Sequence, residues 1–398
     1  MTWAASSFVV LAACDYAPRP SLPLMPPRVR DGGAGSTTDG NVSLDSGTLD
    51  GGAVDASPPR DGGTAATDGG APMTGFTPPF SSNYEPSDVV IHDALHVDCE
   101  AFVDTDTAQA DAWCGPPPDL HVLSTADGEL VLLTARRFEV TAAGRLDVRG
   151  SRPLLVIIDG NVLIDGEVTV AHATRSCPGT NGRNDGGGGG GGFGTDGAPG
   201  GDADDRGGGD GASANGTPEL VPLLTGCAGG DGNAPGGRGG GALEISASGS
   251  ILVRGHVDAF GEGGRGGDRR AAGGGGGSGG ALLLEADVVT VEGGLFANGA
   301  GGGQAGGEDD DDDGEHGDDG AAATSVANGG SAGPGATGGD GATGLVEALA
   351  GEDGRSGAGG SGGDRPGGGG GGGVGRIRIN AHRCALGGEM SPAPSTDC

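Results

Sequence analysis

Gly241-Ala242-Leu243-Glu244-Ile245-Ser246-Ala247-Ser248-Gly249-Ser250-Ile251-Leu252-Val253-Arg254-Gly255-His256-Val257-Asp258-Ala259 is the stretch on which the fold turns. It holds three short runs with apolar residues at alternate positions: Leu243/Ile245, Ile251/Val253 and Val257/Ala259. Alternation with period two marks a strand with one buried face, and Gly249-Ser250 and Gly255 between the runs are residues that bend a chain. The pattern recurs. Phe138/Val140 precede Leu146/Val148, Leu155/Ile157 precede Val162/Ile164 and Val168/Val170, and Leu282/Leu284 precede Val289/Val291 and Leu295/Ala297. A glycine follows the second pair of each unit at Gly150, Gly166, Gly255 and Gly293. In the first unit Arg152 stands where a third pair is expected, and Arg376-Ile377-Arg378-Ile379 opens a last, incomplete unit.

One unit cannot bury its apolar face alone, whereas stacked copies form continuous apolar ladders. The expected fold is therefore all-β, a short right-handed parallel β-helix. Glu244, Ser246, Arg254, Glu285, Glu292 and Arg378 alternate with the apolar set and are expected on its outer face. A β-sandwich of hairpins is the competing arrangement, but it needs turn signals leading back antiparallel, and the shared strand–Gly–strand spacing favours translation of one unit. The solenoid is assigned to residues 135–383, after a β cap at 81–134 that contains Val89-Val90-Ile91 and Leu130-Val131-Leu132-Leu133.

Three glycine-rich insertions, 172–240, 261–280 and 298–374, interrupt the units, all from one corner. Glycine makes up 95 of 398 residues, about a quarter against roughly 7% in average usage. Such chain is either disordered linker or extended left-handed polyglycine helix packed closely without Cβ atoms. The run at 186–192 and the acidic run at 309–313 point to partial disorder, and no strict Gly-x-y period of collagen is present. The composition leaves room for one modest core. With 55 acidic residues against 22 basic, a formal charge of −33 and no lysine, the chain is unsuited to nucleic acid and to a Walker A loop.

Residues 4–13 form an apolar run too short to span a bilayer but suited to a secretory signal, with no basic residue before it. The run ends in Leu11-Ala12-Ala13-Cys14, which resembles the bacterial lipobox. The resemblance implies a signal peptide at 1–13, a lipidated Cys14 and a membrane anchor. Residues 14–80 are poor in apolar groups and carry Asp-Gly-Gly units at 31–33, 61–63 and 68–70, as expected of a disordered tether. With Cys14 set aside, six cysteines remain: Cys99, Cys114, Cys177, Cys227, Cys384 and Cys398. Their even number in an exported chain predicts disulfides, and sequence neighbours suggest local loops, the last closing a tail at 384–398. Fifteen pairings are formally open. A zinc site would need closer spacing such as C-x-x-C.

Motifs of catalysis are weak. G-x-S-x-G occurs around Ser278, Ser331 and Ser361, in glycine-rich tracts where it is expected by chance and without the strand and helix of a nucleophile elbow. His92-Asp93-Ala94-Leu95-His96 has Asp where a zincin has Glu, and its apolar flanks favour a strand over a helix. Calcium is the one cation for which ligands are nominated, at Asp104, Asp106, Asp309 and Asp311. The segment 338–345 approaches a calcium-binding nonapeptide but has Thr343 in place of Asp.

The lipobox, the Asp-Gly tether and β-runs such as Gly280-Ala281-Leu282-Leu283-Leu284 between glycine tracts together resemble the glycine-rich lipoproteins of Gram-negative bacteria. Such chains are often labelled PE-PGRS-like, although no PE-type helical domain opens this one. The resemblance implies export to the cell envelope, at the outer membrane or cell surface, and no established chemistry. The expectation is a non-enzymatic lipoprotein, structural or adhesive, without a cofactor, whose partners are the membrane and extracellular polysaccharide or cell-surface proteins. The alternative is a polysaccharide-binding or polysaccharide-degrading enzyme like the pectin-lyase-type β-helices. That alternative requires acids and Arg gathered on one solenoid face with aromatic platforms.

Overall fold

A computed structural model describes residues 76–171, 173, 177–203, 207–309, 312–354 and 365–398. The signal-like segment, Cys14, the tether as far as residue 75, Asp311 and Ser361 lie outside the described residues. Among those described the fold is all-β, with one 3-10 turn at Pro86–Asp88. The strands are β1 (Leu95–Val97), β2 (Glu100–Asp104), β3 (Gln109–Asp111) and β4 (Leu120–Thr125), then β5 (Gly128–Ala135), β6 (Phe138–Val140) and β7 (Arg145–Arg149). The next units are β8 (Leu154–Ile158), β9 (Val162–Ile164) and β10 (Glu167–Ala171), followed by β11 (Ala242–Ala247), β12 (Ser250–Val253) and β13 (His256–Asp258). The last are β14 (Ala281–Val291), β15 (Gly294–Phe296), β16 (Arg376–Leu386), β17 (Glu389–Ser391) and β18 (Ser395–Asp397).

They form two mixed sheets, of eleven and seven strands. Antiparallel pairing occurs at β2–β3 and β4–β5, and the other strand pairs run parallel with each unit displaced by one step. In the larger sheet Val131, Leu154, Leu243, Leu282 and Ile377 stand in register, as do Leu133, Val156, Ile245, Leu284 and Ile379. In the smaller sheet Ala101, Leu146, Val168, Val257, Leu295 and Met390 form a matching row. These residues, Met390 aside, are almost fully buried in one cluster with Phe138, Val162, Ile251 and Val289 from the intervening column. Each buried aliphatic side chain contributes about 1.5–3 kcal/mol relative to exposure, and the ladders are the aliphatic core.

Two details of the repeat differ from the expectation. Phe138/Val140 pair with Val162/Ile164 and Leu146/Val148 with Val168/Val170, so they are the second and third strands of their unit. Its opening strand is β5, placed in the cap by sequence, and β1 and β2 continue the same ladders upstream. In β8 the inward residues are Leu154, Val156 and Ile158, and Leu155 and Ile157 face outward into a second apolar cluster. Five consecutive apolar residues carry no alternation, and a slip of one residue exchanges the faces of a strand.

Partial disorder of the glycine run at 186–192 is overturned. The N–H groups of Gly187, Gly188 and Gly189 donate to the carbonyls of Gly201, Gly273 and Thr180, and those of Gly190 and Gly191 donate to Ala198 and Gly276, at 2.8–3.0 Å. The same neighbours return after three residues, as in a polyproline-type helix with three residues per turn and no internal hydrogen bonds. The carbonyls of residues 187–191 in turn accept from Gly209, Gly370, Gly230, Ala212 and Gly373. One run is thus bonded to six neighbouring segments, and residues 273–279, 299–306 and 367–373 are bonded laterally in the same manner. A Cβ on Gly187 would overlap the carbonyl of Gly368, and one on Gly275 would overlap that of Gly189.

The insertions follow β10, β13 and β15, which are neighbours in the smaller sheet, and return into β11, β14 and β16, neighbours in the larger. The glycine segments therefore start and end side by side. Disulfides join Cys99–Cys114, Cys177–Cys227 and Cys384–Cys398, the local pairing suggested by sequence.

Gly187→Ala and Gly275→Ala are each expected to destabilise the fold by roughly 1–3 kcal/mol or more, the usual cost of overpacking. Gly387→Ala, where a Cβ would meet only Val291 O at 4.0 Å, should leave the melting temperature unchanged; thermal unfolding of the three variants checks this.

Candidate functional site

Two outer faces of the β-fold gather polar chemistry. On the larger sheet, Glu244 and Ser246 of β11, Glu285 of β14 and Asn380 of β16 project outward, as alternation requires, yet the first three have no exposed surface. Residues 76–85 lie across them. Phe76 and Tyr84 pack with Leu155, Ile157 and Leu283 and, from an insertion, with Phe193, Leu220 and Leu223. Ser82 donates from both N and Oγ to Glu285, Asn83 Nδ2 donates to Glu244 at 2.8 Å, and Tyr84 Oη and Ser246 Oγ lie 2.7 Å apart. Asn83 Oδ1 accepts from Leu223 N, tying segment, insertion and sheet together. Burial, reinforced by the neighbouring Glu285, holds the Glu244 carboxyl well above the usual carboxylate range, and burial raises the Tyr84 hydroxyl as well.

Beside this segment runs an open cleft of about 810 Å³ floored by Leu123, Leu130 and Leu223. Its walls carry Glu85, Asp106 and Glu129, with Arg152 in an ion pair to Glu129 at 2.7 Å. Arg152, missing from the apolar pattern, also donates to the carbonyls of Thr105 and Asp106 and so braces the β2–β3 hairpin.

The smaller sheet presents Glu100, Arg145, Glu167 and His256 along one outward row and Phe102, Asp147, Thr169, Asp258 and Phe296 along the next. Arg145 bridges Asp147 and Glu167 at 3.0 Å each. Asp258 is completely buried and neither carboxylate oxygen has a hydrogen-bond partner. Burial, helped by the charge of Glu167 and opposed by that of Arg145, pushes its carboxyl up to about 7. Two neighbouring carboxyls in unlike surroundings are the pairing used in glycoside hydrolysis, although full burial keeps Asp258 from a substrate in this conformation.

Among the described residues, the nominated calcium ligands Asp104, Asp106 and Asp309 form no metal-binding cluster. Asp104 accepts from Thr107 N, and Asp106 accepts from Ser151 N and Oγ, bonds that hold the Asp106 carboxyl below its usual range. Asp309 accompanies Asp312, whose carboxylate accepts from its N–H. Among the described residues, the one cluster with the geometry of a metal site is Asp98, Cys99 and Cys114, and its sulfurs are joined in a disulfide. His96 lies in β1, the strand favoured by sequence, and faces Asp98 and Glu139, whereas His92 stacks on His121. Ser278 is buried in the glycine bundle, accepting from Cys227 N and donating to Gly279 O, and Ser331 sits in an exposed turn. Residues 338–342 bond laterally as one more segment of the bundle. No helix among the described residues is long and apolar enough to cross a membrane.

Neither the burial of Glu244 and Glu285 nor that of Asp258 is legible in the alternation, which separates inward from outward and says nothing of what covers the outer side.

Because the folded state holds the Asp258 proton more tightly than the unfolded chain, its contribution to stability is complete below the ordinary value of 3.8 and is lost as pH rises to about 7. Asp258→Asn is expected to remove a decline on the order of 1 kcal/mol per pH unit across that window, measured as denaturant midpoints of both proteins against pH.

No family model, no curated protein and no solved structure matches this chain.

Proposed function

We propose that the protein is a non-enzymatic component of the bacterial cell envelope, anchored through a lipid on Cys14, in which a right-handed parallel β-helix carries a rigid bundle of glycine helices for structural or adhesive display. The parallel, in-register ladders support the β-helix, since the third strand of each unit leads, through an insertion where one is present, to the first strand of the next. The lipobox-like Leu11-Ala12-Ala13-Cys14 supports the anchor, and three disulfides suit an oxidising compartment.

The observation that carries the display reading is the convergence of turns from two insertions. Arg270 from one and Glu308, Asp309, Asp312, Glu352 and Arg365 from the other line a single cleft of about 380 Å³. The bundle behind it is held chiefly by lateral backbone bonds, which give the charged turns fixed positions. Extracellular polysaccharide and cell-surface proteins are the partner classes that such a charged surface would meet. In this reading calcium is a candidate ligand of these acidic turns and not of Asp104 and Asp106, whose oxygens accept internal hydrogen bonds.

The second reading, a polysaccharide-degrading enzyme, is favoured by one observation: Arg145, Asp147, Glu167 and Asp258 share one face, with Phe102 and Phe296 beside them.

In cells fed labelled palmitate, wild type is expected to take the label and Cys14→Ala to remain unlabelled; an unlabelled wild type overturns the anchor. Incubation with neutral and acidic polysaccharides is expected to release no reducing ends. Release that disappears in Glu167→Gln would replace the display reading with the enzymatic one.

A further inference from the structure

Residues 76–85 connect the amino-terminal chain to the β-fold, and their polar seat is unusual in its hydrogen-bond inventory. Glu285 accepts three bonds, from Ser82 N and Ser82 Oγ of the segment and from Asn380 Nδ2 of β16 at 2.7 Å, and a carboxylate has about four acceptor positions. Glu244, fully buried beside it, accepts one bond from Asn83, and its Oε1 has no partner. A buried carboxylate oxygen without a donor costs as much as several ordinary hydrogen bonds contribute. A carboxylic acid in the same position has an O–H to give, and the acceptor beside it is Glu285.

We propose that Glu244 carries a proton, donated in a hydrogen bond to Glu285, and that this bond is a latch that holds residues 76–85 on the sheet and opens when the proton is lost. The surroundings provide no substitute for that proton. From the segment, Tyr84 contributes a neutral hydroxyl that pairs with Ser246. From β8 come Leu155 and Ile157, both apolar. From β16, Arg378 donates to Asn380 Oδ1 at 2.6 Å and its far end faces Asp397 at 3.9 Å, so its charge reaches Glu285 only through the Asn380 amide. Beyond Phe80, whose ring packs tilted against His382 at 5.4 Å, both His382 and Arg383 are paired with Asp287.

With the proton bound, the pair carries one negative charge, matched by the donors of Ser82, Asn83 and Asn380. Transfer of the proton to water leaves two carboxylates in contact in a dry site, where like charges repel strongly. The covering segment is the removable wall. Its departure admits water to both carboxylates while the aliphatic ladders on the opposite face of the sheet stay intact. The latch is tight below the ordinary carboxylate value of 4.5 and weakens as pH rises through the value of the folded state, since the folded form binds the extra proton. In an envelope protein this would link the attachment of the tether to external pH, but the latch stands whether or not Cys14 is lipidated.

Hydrogen exchange of the peptide covering 76–85, in the full chain with disulfides intact and corrected for intrinsic rates, tests the latch from about pH 5 to about pH 10. Between the ordinary carboxylate value of 4.5 and the raised value of the folded state, protection should fall by about tenfold per pH unit, and above that value it should level off. Glu244→Gln keeps the shape and supplies a permanent donor to Glu285, so its protection should stay level over the same range. Tyr84→Phe should lower protection equally at every pH. Protection of wild type that is independent of pH, or a Glu244→Gln profile that follows wild type, overturns the proposal. Should Glu244→Gln not fold, the infrared carbonyl band of a protonated carboxyl decides in Asp258→Asn, where Asp258 cannot supply it: the band is expected to persist at a pH where exposed carboxyls have ionised, and its absence there overturns the proposal.

Discussion

A peptide chain cannot leave its backbone N–H and C=O groups unpaired when water is excluded, and this protein meets that demand in two ways that share one lattice. In the sheets, strands pair with strands. In the insertions, extended glycine segments make no internal bonds and pair with as many as six neighbours. The two regions are continuous: Gly241 N donates to Val170 O, Ala281 N to Gly241 O and Arg376 N to Gly280 O, prolonging the sheet ladders into the first residues of the bundle. Segments that leave adjacent strands start adjacent, and their lateral bonding follows from that placement.

The constraint explains the composition. A helix bonded on all sides has no side of its own for a Cβ, as the overlap at Gly187 and Gly368 shows, so glycine is required by neighbours and not by turns. No segment of the bundle is a folding unit, because every hydrogen bond that stabilises it belongs to another segment. The Cys177–Cys227 disulfide joins two such segments within one insertion, and the aliphatic ladders hold the ends. Glycine-rich insertions are therefore compatible with a dense bundle whose interior is largely backbone.

Polar groups under the outer faces have a different standing. The half-exposed pair of Arg145 and Glu167 is screened by salt, although Asp147 on the other side of Arg145 is buried. Glu244 and Asp258, in contrast, are covered, and a covered acid is either protonated or expensive. Both carboxyls are shifted upward by burial first and by an acidic neighbour second. That ordering identifies the covering elements, residues 76–85 in one case, as what determines their protonation.

Leu243/Ile245, Val257/Ala259 and Leu282/Leu284 announced their inward faces by alternation alone, and the local disulfide pairing followed the order of the cysteines, because period and proximity are properties of the chain itself. Leu155 and Ile157 could not be placed that way: an unbroken apolar run has no polar residue to mark the outer side, and a distant segment with Phe76 and Tyr84 buries it. The first unit was offset by one strand for a related reason, since Leu130-Val131-Leu132-Leu133 has no alternation either. Order in the glycine tracts was equally hidden, as a chain without side chains carries no pattern and acquires its structure only from the number and spacing of its neighbours. Composition and period thus specified strands, repeat and crosslinks, and the packing of remote segments decided which carboxyls are dry, which glycines are enclosed and where charged turns meet.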